Sequence, residues 1–290
     1  MFGMEAALFC PSGTMANQIA IKVHTQAGDE VICDYSSHVY QYEGGGIAFN
    51  SSASVKLLHG DRGMLSVNLI EAALREENVH YPRTSLVSVE NTTNKGGGAC
   101  YDIKTLEELS IFCKSNKLNF HMDGARLFHA MIYTNTKPKD YGPLFDSISV
   151  CMSKGLGAPI GSLLLGTEAF IHKAKRVRKV LGGGMRQVGY LAAACDYAID
   201  NHVSLLKDDH RRAKEIESVL SSLDYVSEVI PVETNILIFV LDDPIRLVDY
   251  LETKNIYCSA VSQNQIRFVT HFQFDDEMLE KLKEALIAYS

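Results

Sequence analysis

The chain has 290 residues, 46% of them hydrophobic, and a formal net charge of −7 with both signs interspersed. That is enough apolar material for one large domain or two smaller ones, and the acidic balance offers no general attraction for nucleic acid or an anionic membrane. No apolar stretch reaches bilayer length, and the apolar start lacks a basic segment and carries Glu5, while seven scattered cysteines without a Cys-x-x-Cys pair argue for a reduced cytoplasmic protein, not a disulfide or zinc framework.

Near the beginning, Pro11-Ser12-Gly13-Thr14 precedes Met15, Ala16, Asn17, Ile19, Ala20 and Val23 at helical spacing. Two readings stand. Ser12 or Thr14 caps the helix, or the hydroxyls, the glycine and the helix amino end form a phosphate cradle. The segment lacks Walker A spacing, and Gly155-x-Gly157-x-x-x-Gly161 does not fit a dinucleotide fingerprint, which argues against nucleotide binding. Strands are predicted over 30–34, 54–58, 85–90, 118–123 and 146–152, with helices over 69–75 and 106–115 between them. Such alternation argues for a mostly parallel sheet covered on both faces. His38 follows the first of these strands in a polar loop, where it is either simply exposed or placed to stack on a flat ring.

Glu90, Asp123 and Lys154 follow three of the predicted strands at intervals of 33 and 31 residues, about one β–α–β unit, so they should line one edge of the sheet. Asp123 precedes Gly124-Ala125-Arg126 and reads either as a helix cap or as a carboxylate facing a cationic ring nitrogen. His121-x-Asp123 is a two-ligand fragment without companions, so no metal site is expected. Lys154 ends an apolar run and is followed by Gly155, Leu156, Gly157, Ala158 and Pro159. A partly desolvated amine there would attack a carbonyl to form a Schiff base; the alternative is a solvated loop lysine. A long helical stretch over 186–220 is followed by strands over 235–241 and 265–270 and helices over 244–254 and 275–288. The expected organisation is a large domain, 1–205, and a small C-terminal α+β domain, 206–290.

Taken together, Pro11-Ser12-Gly13-Thr14-Met15-Ala16-Asn17, His38, Glu90-Asn91-Thr92, Asp123-Gly124-Ala125-Arg126, Ser153-Lys154-Gly155-Leu156-Gly157, Gly182-Gly183-Gly184-Met185-Arg186-Gln187 and Arg267-Phe268-Val269-Thr270-His271 resemble the low-specificity L-threonine aldolases. These are fold-type I pyridoxal 5'-phosphate (PLP) enzymes of the β-eliminating lyase group, and the resemblance runs the length of the chain. It implies an α/β, aspartate aminotransferase-like fold and cleavage of L-threonine or L-allo-threonine to glycine and an aldehyde by retro-aldol chemistry. It further implies that Lys154 forms the Schiff base with PLP, Asp123 pairs with the pyridinium nitrogen, and Ser12, Gly13 and Thr14 hold the phosphate. His38 would stack on the ring and handle protons, while Arg126 and Arg267 would grip the substrate carboxylate. Lys179 and Arg186 fall in a segment that members present across a subunit interface near the cofactor, so a homodimer or homotetramer is implied; the same run of cations also reads as a solvated helix end.

Two departures from the family pattern bear on activity. Many members read Glu-Asn-Thr-His-Asn where this chain has Thr93, a hydroxyl that contacts substrate without acting as a base at neutral pH. Met1-Phe2-Gly3 matches a point a few tens of residues into the family, so the arm that brings a serine to the carboxylate site and helps assemble the dimer lies outside residues 1–290. Weak activity and impaired assembly are expected of these residues alone. Other readings on the same scaffold are a different PLP-dependent lyase, an aminotransferase, or a non-catalytic remnant that binds PLP.

Overall fold

The β-rich runs of the first 166 residues hydrogen-bond into one seven-stranded sheet in a computed structural model that describes residues 1–289. Its strands are β1 (Ala6–Cys10), β2 (Glu30–Asp34), β3 (Ser54–Leu58), β4 (Thr84–Glu90), β5 (Asn119–Gly124), β6 (Ser147–Cys151) and β7 (Ser162–Gly166). Their spatial order is β1-β7-β6-β5-β4-β2-β3. Strands β2 to β6 pair in parallel, and β7 and β1 are added antiparallel at one side. The five parallel strands match the sequence reading to within a residue at each end; β1 and β7 are additions to it. Strand β6 ends at Cys151, so Lys154 lies three residues beyond it, in the turn.

Helices cover the sheet because their apolar residues recur on one face. The helix Gly13–His24 places Ala16, Ile19 and Ala20 against Leu8, Cys10 and Leu164 of the sheet and against Phe170, Ile171 and Ala174 of the helix Glu168–Val180. On the side of β2, Ile21 joins Val31, Cys33, Val39, Ile47 and Leu86. The predicted long helix over 186–220 is two helices, Gly189–His202 and Leu206–Leu220, joined by one 3₁₀ turn.

This turn coincides with a division of the chain into two compact units. The first comprises Met1–Lys95 and Cys100–Val203; the second comprises Gly96–Ala99 and the chain from Ser204. The second unit contains a four-stranded antiparallel sheet of β8 (Glu228–Val229), β9 (Ile236–Val240), β10 (Ser259–Ala260) and β11 (Gln265–Val269), in the order β10-β11-β9-β8. Leu237, Phe239 and Ile266 form its core with Leu247 and Leu251 of the helix Pro244–Thr253 and Leu279, Leu282 and Leu286 of the helix Asp276–Ala288. Asp275 caps the latter by accepting from Met278 N at 2.8 Å. Gly98 belongs here because its carbonyl accepts from Thr234 Oγ1 at 3.0 Å. Among the described residues no helix is long and apolar enough to cross a membrane.

Candidate active site

Parallel pairing brings the ends of β4, β5 and β6 to one edge of the first unit. Glu90 is directly opposite Asp123, and Asp123 is opposite Ser149. A cavity of about 270 Å³ opens at this edge, lined by Ser12, Gly13, Thr14, Asn17, His38, Asp123, Cys151, Ser153 and Lys154 among others. Six residues singled out in the sequence therefore meet around one space, which is where open α/β sheets place ligands.

Ser12 is the helix cap, its Oγ accepting from Met15 N at 3.1 Å. Ser12 is thus a cap, and it lines the cavity with Gly13 and Thr14 at the positive end of a 12-residue helix. Gly13 has a packing reason as well: a Cβ there would lie 2.7 Å from Cys151 Sγ.

Asp123 is 2% exposed, and both its oxygens accept hydrogen bonds: Oδ2 from Asn17 Nδ2 at 2.8 Å and Oδ1 from Ala125 N at 3.1 Å. Asn17 Nδ2 also donates to Glu43 Oε1 at 3.0 Å, and Glu43 Oε2 accepts from Gln18 Nε2 at 2.6 Å. On its other side Asn17 Oδ1 accepts from Ser149 Oγ at 2.6 Å and faces His121 Nε2 at 3.2 Å. His121 Nδ1 lies 2.8 Å from Ser147 Oγ, which is also 2.8 Å from His24 Nε2. Burial pushes both imidazoles down, His121 to about 4 and His24 to about 3, so both rings are neutral at physiological pH.

His38 begins the short helix His38–Gln41, and its Nδ1 lies 3.0 Å from Glu43 Oε1. That hydrogen bond raises the imidazole pKa, with burial opposing and Asp123 adding to the rise. One oxygen of Asp123, one of Glu43 and one ring nitrogen of His38 thus lie within 4.8 Å of one another, with the Asn17 amide meeting both carboxylates.

Glu90, read from the sequence as a reactive strand-end acid, ties two loops together: Oε2 accepts from His38 N and Oε1 from Asn94 N, each at 2.9 Å. Burial, reinforced by the charge of Asp123, pushes its carboxyl from 4.5 up to about 7. A raised acid contributes stability that is fully present below its unfolded value and is lost as pH rises through the folded one. Glu90→Gln removes that ionisation. The melting temperature of the variant should therefore gain on the wild type between pH 5 and pH 8, as read by thermal unfolding in parallel buffers. A difference that does not change with pH contradicts this assignment.

Lys154 lines the cavity but is exposed, contrary to the partial desolvation expected of it. The reason is the chain path: Ser153 and Lys154 project from the turn, while Met152 and Leu156 on either side are buried. Arg126 and Lys154 both act on the Cys151 thiol, whose pKa burial raises and these cations lower. Thr93 is 3% exposed, and its hydroxyl, like those of Ser88 and Thr92 and the side-chain amide of Asn91, has no hydrogen-bond partner among the described residues. Lys179 and Arg186 are exposed, at the end of the helix Glu168–Val180 and in the loop after its glycines, outside the residues lining this cavity. Arg267 belongs to the second unit, on β11, paired with Ile238 and Ser259.

Asn17 and Glu43 join this buried polar network, and neither carries an assigned role in the sequence pattern. The available signal was Asn17-Gln18 within the buried face of the first helix.

Residues 1–244 match the family described as β-eliminating lyase. The chain is 38% identical over 283 residues to low-specificity L-threonine aldolase 1 of Arabidopsis thaliana, spanning 94% of this chain and 79% of that protein. Against the low-specificity L-threonine aldolase of Escherichia coli K12 it is 35% identical over 283 residues, 97% of this chain and 83% of that one. In fold it is similar to the solved threonine aldolase of Leishmania major, with a TM-score of 0.86 over 97% of this chain and 83% of the other at 23% identity.

Proposed function

The chain belongs to the β-eliminating lyase family, and on that premise we propose that it is a PLP-dependent aldolase cleaving L-threonine and L-allo-threonine to glycine and acetaldehyde. The observation that carries this is the convergence of one amine, one buried carboxylate and one helix amino end on a single cavity. That donor set fits the cofactor, which needs an amine for its aldehyde, an acid for its ring nitrogen and N–H groups for its phosphate. When bound, PLP supplies an electron sink for the bonding pair released at the substrate Cα.

The protein's own residues do the rest. Lys154 would offer the amine that holds the cofactor's aldehyde carbon, Asp123 would accept from the ring N–H, and Gly13 and Thr14 would take the phosphate. His38 would cover the ring and move a proton at Nε2, since Glu43 engages Nδ1. By the family resemblance, Arg126 would hold the substrate carboxylate with a guanidinium fork and Thr93 would hydrogen-bond the substrate hydroxyl. Carboxylate binding by Arg267 and contributions from Lys179 and Arg186 rest on the family resemblance. The reaction balances without water or oxidant: the β-hydroxyl loses its proton as its oxygen becomes the aldehyde carbonyl, the Cα–Cβ bond breaks, and Cα takes up one proton. The lack of any disulfide among the seven cysteines supports a reducing, cytoplasmic setting, and the exposed cationic segment around Lys179 supports assembly with further copies of the chain.

Incubating the PLP-loaded protein with L-threonine should release glycine and acetaldehyde in equal amounts, scored by product analysis. A keto acid with ammonia, or transfer of the amino group to an added keto acid, overturns the proposal.

A further inference from the structure

We propose that Glu43 is a positioning residue of this site: its buried carboxylate fixes the ring of His38 and selects Nε2 as the nitrogen that exchanges a proton. The inference rests on the reading of His38 as the group that meets the cofactor. It starts from an enclosure built around a single carboxylate. The Glu43 side chain is 0% exposed, and donors from three residues meet it, Asn17 and His38 at Oε1 and Gln18 at Oε2. Each donor is fixed in turn. Asn17 cannot reverse its amide, because its oxygen would then face the carboxylates of Glu43 and Asp123 while its nitrogen faced Ser149 and His121. Gln18 Oε1 accepts from Asn50 Nδ2 at 3.1 Å, and the Gln18 amide lies over Gly46, where a Cβ would come within 2.5 Å of it. Gly46 thus leaves the space that this amide fills.

The consequence for His38 follows from hydrogen-bond polarity. A carboxylate oxygen only accepts, so Nδ1 carries a proton in both charge states of the ring. Neutral His38 is then a base at Nε2, and protonated His38 a donor at Nε2. The groups acting on the ring are the acids Glu43, Asp123 and Glu90 and the cation Lys154, with Tyr42 tilted against it at 5.7 Å. Of these acids, Glu43 alone hydrogen-bonds the imidazole nitrogen; Glu90 holds the backbone N–H instead.

The test is a ¹H–¹⁵N long-range NMR titration of the His38 ring in cofactor-free protein, with the signal assigned by His38→Gln. In Glu43→Gln the titration midpoint should fall by about one unit or more, the size of an opposite charge removed from hydrogen-bond distance, and the neutral ring should lose its preference for a proton on Nδ1. Glu43→Asp, which keeps the charge, should restore most of the midpoint. If Glu43→Gln does not fold, Gln18→Met leaves the charge but removes the anchor at Oε2, and the tautomer preference should weaken there. An unchanged midpoint and tautomer in the folded variant overturn the proposal. A His38 midpoint that moves while the pH profile of threonine cleavage does not upholds Glu43 as the positioning residue and removes His38 from proton transfer.

Discussion

Lys154→Ala should lower the rate of threonine cleavage by roughly 10⁴-fold or more while leaving the fold intact, because a well-oriented group reacts at an effective molarity of ~10⁵ M or above. Among the described residues lining the cavity, Lys154 carries the sole primary amine. Nothing in the turn depends on its side chain. The turn is closed by a backbone hydrogen bond from Gly157 N to Lys154 O at 2.8 Å, and by Gly157 at φ 69°. Gly155 is held against the His129 ring, where any Cβ would collide with Nε2. An alanine at position 154 satisfies the same backbone geometry, so thermal stability should change by no more than about 0.5 kcal/mol, as for an exposed substitution. Two measurements separate the chemistry from folding. Acetaldehyde release reports the rate, and borohydride reduction of the loaded protein, followed by peptide mass mapping, reports whether the cofactor is covalently held at residue 154. A variant that still cleaves threonine at more than a tenth of the wild-type rate contradicts the assignment of the amine.

How much of this site the sequence disclosed depends on the range of the interactions. Glu90, Asp123 and Lys154 were legible because parallel strands repeat at a β–α–β interval, and the register confirms that the first two stand side by side. Ser12 to Thr14 were legible because the polar turn before an apolar helical face is a local pattern. Strand β7 follows β6 with no helix between them, so it lies outside that alternation of strands and helices. The network around Asn17 was out of reach for a different reason. Asn17 meets Glu43 at a separation of 26 residues, Asp123 at 106 and Ser149 at 132, and no periodicity in one strand or helix encodes such pairings. The serines of β6 show the same limit. Their alternation with Ile148 and Val150 predicts a strand, yet Ser147 and Ser149 are fully buried and point into the polar network. Lys154 lines the cavity, but its position is exposed, not desolvated as its place after an apolar strand predicts.

Asp123→Asn should cost roughly 10³-fold in kcat, the scale on which a single preorganised electrostatic group acts in a buried site, and its structural cost can be stated separately. The substitution turns one acceptor oxygen into a donor NH₂ group. In one orientation that group faces Asn17 Nδ2, in the other the backbone N–H of Ala125. Asn17 cannot turn to accommodate it, because its own oxygen is engaged by Ser149 Oγ and faces His121 Nε2. One buried donor is therefore left without an acceptor, at about 1–3 kcal/mol of stability. That loss lowers the melting temperature without explaining the rate, because an enzyme that remains folded at the assay temperature is nearly all native. The decisive comparison is with Asn17→Leu, which removes a hydrogen bond from Asp123 but keeps the carboxylate. If the carboxylate is what the cofactor ring requires, Asn17→Leu should retain at least ten times the kcat of Asp123→Asn at matched cofactor saturation. Equal losses in the two variants would place the effect in the integrity of the network and not in the charge that faces the ring.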